Sequence, residues 1–188
     1  LETLFTKAAT ANSFAPTAVS NEELRSIWEL AKWPPTSAIF QPTRVLFVQS
    51  PEGRSKLGEF MNDKNREKTV AAPAVAVLAF DRSWHENIAT TTPHLAHLTE
   101  YFATNDDPRL DTARNNSWLQ AGYFILAIRA LGFAAGPMIG FDASAIDAEF
   151  FADGRWGTFL VINIGHPTEG SYRPRLPRLD QEHTVQFA

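Results

Sequence analysis

Two short runs carry side chains whose types and spacing suit an anionic, hydrogen-bonding ligand. In "NREKT" (65–69), Asn65 and Lys68 share one face if the segment is helical, an amide that donates and accepts beside a positive charge. Such a pair can read the edge of a heterocycle. In "SYRPRLPRL" (171–179), Pro174 and Pro177 favour an extended backbone in which residues two apart point the same way. Arg173 and Arg175 then stand together, and two guanidinium forks suit phosphate oxygens. Taken in isolation, both runs read more simply as solvated polar segments, the second as a proline-rich terminal strap.

A third run, "LGFAAGPMIGFD" (131–142), spaces Gly132, Gly136 and Gly140 evenly around Pro137. Gly132 suits the left-handed residue that closes a helix, and Pro137 keeps that helix from running on. The run predicts a tight loop with bare backbone where a ligand can dock. "KWPPTSAIFQP" (32–42) ends a helix with two prolines and offers Thr36 and Ser37 as hydroxyl donors.

Other chemistries find little support. The chain has no G-x-S-x-G elbow, P-loop, H-E-x-x-H or G-x-G-x-x-G motif. His94 and His97 stand three apart in "PHLAHL" with no third ligand spaced to complete a metal site. The absence of cysteine removes disulfides, thiolate metal sites and cysteine nucleophiles. A net charge of −4 lacks the basic footprint of a nucleic-acid binder. The most apolar run, Ser117 to Ile128, is too short to span a bilayer and contains Gln120. The chain reads as a soluble, cytoplasmic protein without nucleic-acid or membrane partners.

The elements that must position these residues follow from patterning. "SNEELRSIWELAKW" opens with Ser20 three residues before Glu23, the capping-box spacing, and repeats apolar residues at helical period. "RVLFVQS" (44–50) predicts a strand, and Ser50-Pro51 caps a helix toward Met61. Residues 72–81 and 157–167 predict two central strands, each buried on both faces. Between them lie a weakly patterned segment (82–113), a helix from Asn115 to Leu131 that is apolar almost all round, and a short helix, "SAIDAEFF", capped near Ser144. An all-apolar helix needs cover on every side, which a dimer interface would complete. No repeat or linker divides the chain, so residues 1–188 read as one domain.

Taken together, "KWPPTSA" with the later "QP", "NREKTVAAPAVAVLAFD", "NNSWLQAGYFILAIRALGFAAGPMIGFDASAIDAEFF", "FLVINIGHP" and "RPRLPRL" occur in the order of the nitroreductase family of flavin enzymes. The chain resembles most its branch of malonic semialdehyde (3-hydroxypropanoate-forming) reductases. The resemblance implies an α+β fold, a mixed, mostly antiparallel sheet wrapped by helices. It also implies an intertwined homodimer with FMN at the subunit interface. It places Pro137, Met138, Ile139 and Gly140 beside the flavin, with the backbone N–H groups of Ile139 and Gly140 near its reactive N5 edge. It assigns Asn65 and Lys68 to the pyrimidine edge, Arg173 and Arg175 to the FMN phosphate, and Pro35, Thr36 and Ser37 to the flavin of the partner subunit. No acid–base side chain is essential in this reading, because the cofactor carries the hydride.

The chain also departs from that branch. Ala9 and Ala11 in "AATAN" stand where the branch has an arginine and a histidine, Ile39 replaces an asparagine, and Pro34 a glycine. Loss of an arginine–phosphate hydrogen bond costs on the order of 1.5–3 kcal/mol of cofactor affinity. The expectation is an FMN-dependent oxidoreductase passing hydride from NADH or NADPH to a small aldehyde, enal, quinone or nitro compound over a more apolar pocket. The rival is a flavin-free or flavin-sequestering dimer of the same fold without redox activity.

Overall fold

The computed structural model covers residues 1–188 and contains a four-stranded, wholly antiparallel sheet with helices on both faces. The strands are β1 (Thr43–Val48), β2 (Ala74–Asp81), β3 (Ala134–Met138) and β4 (Trp156–Gly165), in the spatial order β1-β2-β4-β3. The helices are α1 (Asn21–Ala31), α2 (Pro51–Glu59), α3 (Asp63–Ala71), α4 (Ile88–Thr91), α5 (Leu98–Thr104), α6 (Asp106–Ala130), α7 (Ala143–Phe150) and α8 (Gln181–Thr184).

The two central strands are the ones predicted, and every residue of β2 is buried. Alternate residues of β2 and β4 feed two cores. On one face, Ala74, Ala76, Leu78, Leu160 and Ile162 pack with Leu24 and Ile27 of α1 and Phe124 and Ile128 of α6. On the other, Val75, Val77, Ala79 and Val161 pack with Leu57, Met61 and Ile146. The capping box forms as expected: the Ser20 side chain accepts from the Glu23 amide while Glu23 reaches back to the Ser20 N–H at 2.7 Å.

Three expectations need correction. The run after Gly132 is not a loop throughout, because Ala134–Met138 is edge strand β3. An edge position tolerates Pro137, whose missing N–H costs no ladder bond when it faces outward. Helix α6 begins at Asp106, nine residues before the predicted start, and its first half is polar. Within one chain its second half is incompletely covered, the condition for which a dimer interface is expected: Phe124, Ala127 and Ile128 face the core while Trp118 and Leu119 are nearly half exposed. Helix α7 is capped by Asp142, whose carboxylate accepts from the Ala145 amide at 3.0 Å, and not by Ser144. The weakly patterned segment folds into short helices whose Trp84 and Phe102 enclose Phe40, with ring centroids 4.6 and 5.8 Å away.

Gly132 ends α6 as predicted. Its φ of 86° is left-handed, Phe133 N–H donates to Ile128 O and Gly132 N–H to Arg129 O, the paired bonds of a Schellman motif. No helix is long and apolar enough to cross a membrane.

Candidate functional site

Residues 65–69 are helical, within α3, so Asn65 and Lys68 do share a face, together with Lys64. The helix is held at both ends by other elements. Asn163 of β4, fully buried, donates from Nδ2 to the Lys68 carbonyl at 3.0 Å, satisfying a C-terminal carbonyl that the helix leaves open. At the other end, Asn62 N–H and Asn65 Nδ2 both donate to the Gly140 carbonyl, at 3.1 and 3.0 Å. A Cβ on Gly140 would lie 2.8 Å from Asn65 Nδ2, so glycine is what lets the two segments touch. Asp142 N–H donating to Phe60 O at 2.8 Å closes the clasp.

The backbone N–H groups of Ile139 and Gly140 donate to nothing within the chain. Ile139 is 73% exposed. The Met138 side chain is instead buried in the core, where Thr69 Oγ1 lies 3.9 Å from its sulfur. The Ile139 side chain and the backbone N–H groups of Ile139 and Gly140 are what this stretch leaves open to a ligand.

The strap reaches the same place from the far end of the chain. Ser171 is buried, its Oγ donating to Ser13 O at 2.8 Å and accepting from the Asn12 and Ser13 amides. Beyond it, Arg175 Nη2 donates to Ala8 O at 2.7 Å. The N-terminal segment is in turn laid across β3, with Ala11 N–H donating to Ala135 O at 3.0 Å. Gly136 permits that crossing, since a Cβ there would meet Ala11 O at 2.7 Å.

Asn65, Lys68, Arg173 and Arg175 thus line one cleft of about 410 Å³, along with Lys64, Arg178, Ala9, Asn12 and Thr10. Lys64 and Arg178 were not legible as site residues by type, although Lys64 sits one helical turn from Lys68 and that spacing was a usable signal. Pro137, Met138, Ile139 and Gly140 do not line it, and Gly140 adjoins it through Asn65. Pro35, Thr36 and Ser37 lie elsewhere in the chain. Thr36 Oγ1 donates to Phe40 O, and Ser37 N–H to Asn116 Oδ1 at 2.7 Å. The two residues after them, Ala38 and Ile39, have φ of 49° and 60°, a left-handed conformation that is strained for a β-branched side chain. Of the departures, Ala9 forms part of the cleft wall, whereas Ala11 is buried beneath it.

The electrostatics of the cleft are one-sided. Five cations line it and no carboxylate does. None of the five is within 4.0 Å of an acidic oxygen, while nine of the other twelve Lys and Arg side chains are. Burial, and then the nearby Arg173 charge, hold the Lys68 ammonium below the ordinary lysine range. Unpaired cations of one sign lining a cleft raise the local potential and attract an anion. The donor set fits a flavin nucleotide: guanidinium forks for a phosphate, a half-buried ammonium with an amide for a polar ring edge, and free backbone N–H groups one short step away.

Residues 9–166 match the family model described as the Nitroreductase family. A Streptomyces coelicolor protein named as an NADH dehydrogenase/NAD(P)H nitroreductase is 50% identical over 185 residues, 98% of this chain and 92% of its own. Among solved structures, a Bacillus subtilis nitroreductase superposes with a TM-score of 0.87 at 24% identity, over 98% of this chain and 97% of that one. A nitroreductase from Exiguobacterium sibiricum, solved in complex with FMN, gives 0.85 at 21% identity, over 98% and 95%. These structures share the fold described above, and the sequence match extends from the N-terminal segment through β4. The chain belongs to the nitroreductase family.

Proposed function

We propose that this chain binds FMN in the cation-lined cleft and acts as an oxidoreductase that passes hydride from NADH or NADPH to a small organic acceptor. The observation that carries this reading is the convergence of five unpaired cations on one cleft beside the free Ile139 and Gly140 amides. Arg173 and Arg175 would hold the phosphate, and Asn65 and Lys68 the polar edge of the ring. Asn65 already spends an Nδ2 donor on Gly140, so its Oδ1 is the acceptor it offers a ring N–H. The Ile139 and Gly140 N–H groups, free of partners within the chain, would supply dipoles to a ring seated beside them. FMN, when bound, supplies the hydride chemistry, and the protein supplies position and polarity.

The acceptor class is aldehyde, enal, quinone or nitro compound. The exchange of a polar residue for the exposed Ile39 argues for an uncharged acceptor over malonic semialdehyde, whose carboxylate needs a partner. A homodimer completes the reading, because Trp118 and Leu119 of α6 leave an apolar stripe without cover. Sedimentation at micromolar concentration should give twice the chain mass.

The decisive experiment is the visible absorption spectrum of protein purified without added cofactor, repeated after FMN loading and gel filtration. Stoichiometric flavin, identified as FMN after release, is the expected result. A protein that retains no flavin even after loading overturns the reading. The rival, a flavin-free dimer, is favoured by Ala9 alone among the residues lining the cleft, and it would then stand.

A further inference from the structure

Positive charge in the cleft exceeds what one flavin nucleotide uses. With Lys68 on the ring edge and Arg173 and Arg175 on the phosphate dianion, Lys64 and Arg178 are left over. Both line the cleft, both are exposed, and neither has a carboxylate within 4.0 Å. Lys64 stands one helical turn, about 6 Å, from Lys68 along α3. Arg178 follows Arg175 by three residues on the extended strap, no more than about 10 Å farther on. Its Nη1 is spent on the Leu176 and Pro177 carbonyls at 2.9 and 3.2 Å, so Nε and Nη2 remain as donors.

Lys68 and Arg175 differ from this leftover pair in how they are held, whereas Arg173 is as exposed as Lys64 and Arg178. Lys68 is half-buried and Arg175 is tied to Ala8 O, as suits a resident cofactor. Lys64 and Arg178 are solvated, as suits a group that arrives and leaves in each cycle. Two cations without carboxylates match a phosphomonoester dianion, the group that NADPH carries on its adenosine ribose and NADH lacks.

We propose that Lys64 and Arg178 bind the 2′-phosphate of NADPH and make the protein select NADPH over NADH. The proposal rests on the function proposed above, and it concerns residues outside the assigned FMN set. Selection by solvated charges is screened by salt, so the preference narrows as ionic strength rises.

The test compares kcat/KM for NADPH and NADH in the FMN-loaded natural protein and in the Lys64→Ala/Arg178→Ala double variant. The NADPH:NADH ratio should be at least about tenfold in the natural protein and fall toward one in the variant. A ratio near one in the natural protein, or an unchanged ratio in the variant, overturns the proposal. Loss of FMN from the variant assigns both cations to the flavin phosphate and overturns it as well. Calorimetric titration with adenosine 2′,5′-bisphosphate, adenosine 3′,5′-bisphosphate and AMP supplies a readout independent of turnover. Tighter binding of the 2′,5′-bisphosphate, lost in the variant, is expected; equal binding of the two bisphosphates refutes 2′ selection. A chain that never takes up FMN refutes the proposed function, and the calorimetric comparison still decides this inference.

Discussion

The cleft and the cluster around Asp81 use the same cationic side chains to opposite ends. Asp81 closes β2 and is 1% exposed. It accepts from Arg44 Nη2 at 2.7 Å and from Arg155 Nε and Nη2 at 2.9 and 3.2 Å, and Arg155 also pairs with Glu86 at 2.9 Å. The hydrogen bond to Asp81 pushes the Arg155 guanidinium above its ordinary range. In the cleft the shift runs the other way, with Lys68 pushed down by burial and by Arg173. The arginines at Asp81 find their counter-charge within the chain and tie β1, β2 and the entry to β4 together. The cations of the cleft find none there. The Asp81 cluster satisfies its charges internally, whereas the cleft leaves five cations open to an anion from outside.

That contrast can be broken at either end. Replacing Arg173 and Arg175 together by alanine should weaken FMN binding about a hundredfold, read by fluorescence titration, while the urea midpoint stays level or rises as repulsion is relieved. A drop in stability with unchanged FMN affinity would assign the two arginines to the fold. Asp81→Ala should do the reverse, lowering the unfolding free energy by about 3 kcal/mol because part-buried arginines lose their partner. Its FMN content should be unchanged. Gly140→Ala comes next: the added Cβ must displace Asn65, and FMN affinity should fall about tenfold with a smaller change in melting temperature. An unaltered affinity would remove Asn65 from the binding set.

The smallest effect concerns pH. His85 lies beside the Asp81 cluster, and burial, then the Arg109 charge, hold its pKa below the ordinary value of 6.5. A histidine whose folded pKa is depressed favours the folded state in its neutral form. Its contribution is full above the unfolded pKa and is lost as pH falls below about 6.5 toward the folded value. His85→Phe should flatten the acid side of the stability curve, measured by urea unfolding across that range, and an unchanged slope would exclude His85 as its cause.

The legible parts of the molecule were those with strong local signals. Ser20 and Glu23, Gly132, the two central strands and the shared face of Asn65 and Lys68 all depend on contacts within a few residues. Strand β3 was missed because "AAGPM" has no β-branched residue, and only the ladder to β4 makes it a strand. The start of α6 was missed because Asp106 to Arg114 is polar and its periodicity is weak. The approach of the strap to α3 depends on the buried Ser171 hydroxyl, a contact across more than 150 residues that no local pattern announces. Arg178 joined the cleft unforeseen because an exposed charge carries no signal of its own until a neighbour is fixed, and Lys64 carried only its one-turn spacing from Lys68.

The cleft is held unequally on its two sides. Its α3 side is bound to the Gly140 turn and to Asn163 of β4 by hydrogen bonds that need no ligand. Past Ser171, the strap has a single hydrogen bond to the rest of the chain, from Arg175 to Ala8. One wall is thus tied at both ends, and the other is anchored at Ser171 and held lightly beyond it. Any ligand that bridges the two walls therefore adds to the strap the attachments that the chain itself leaves to a single hydrogen bond.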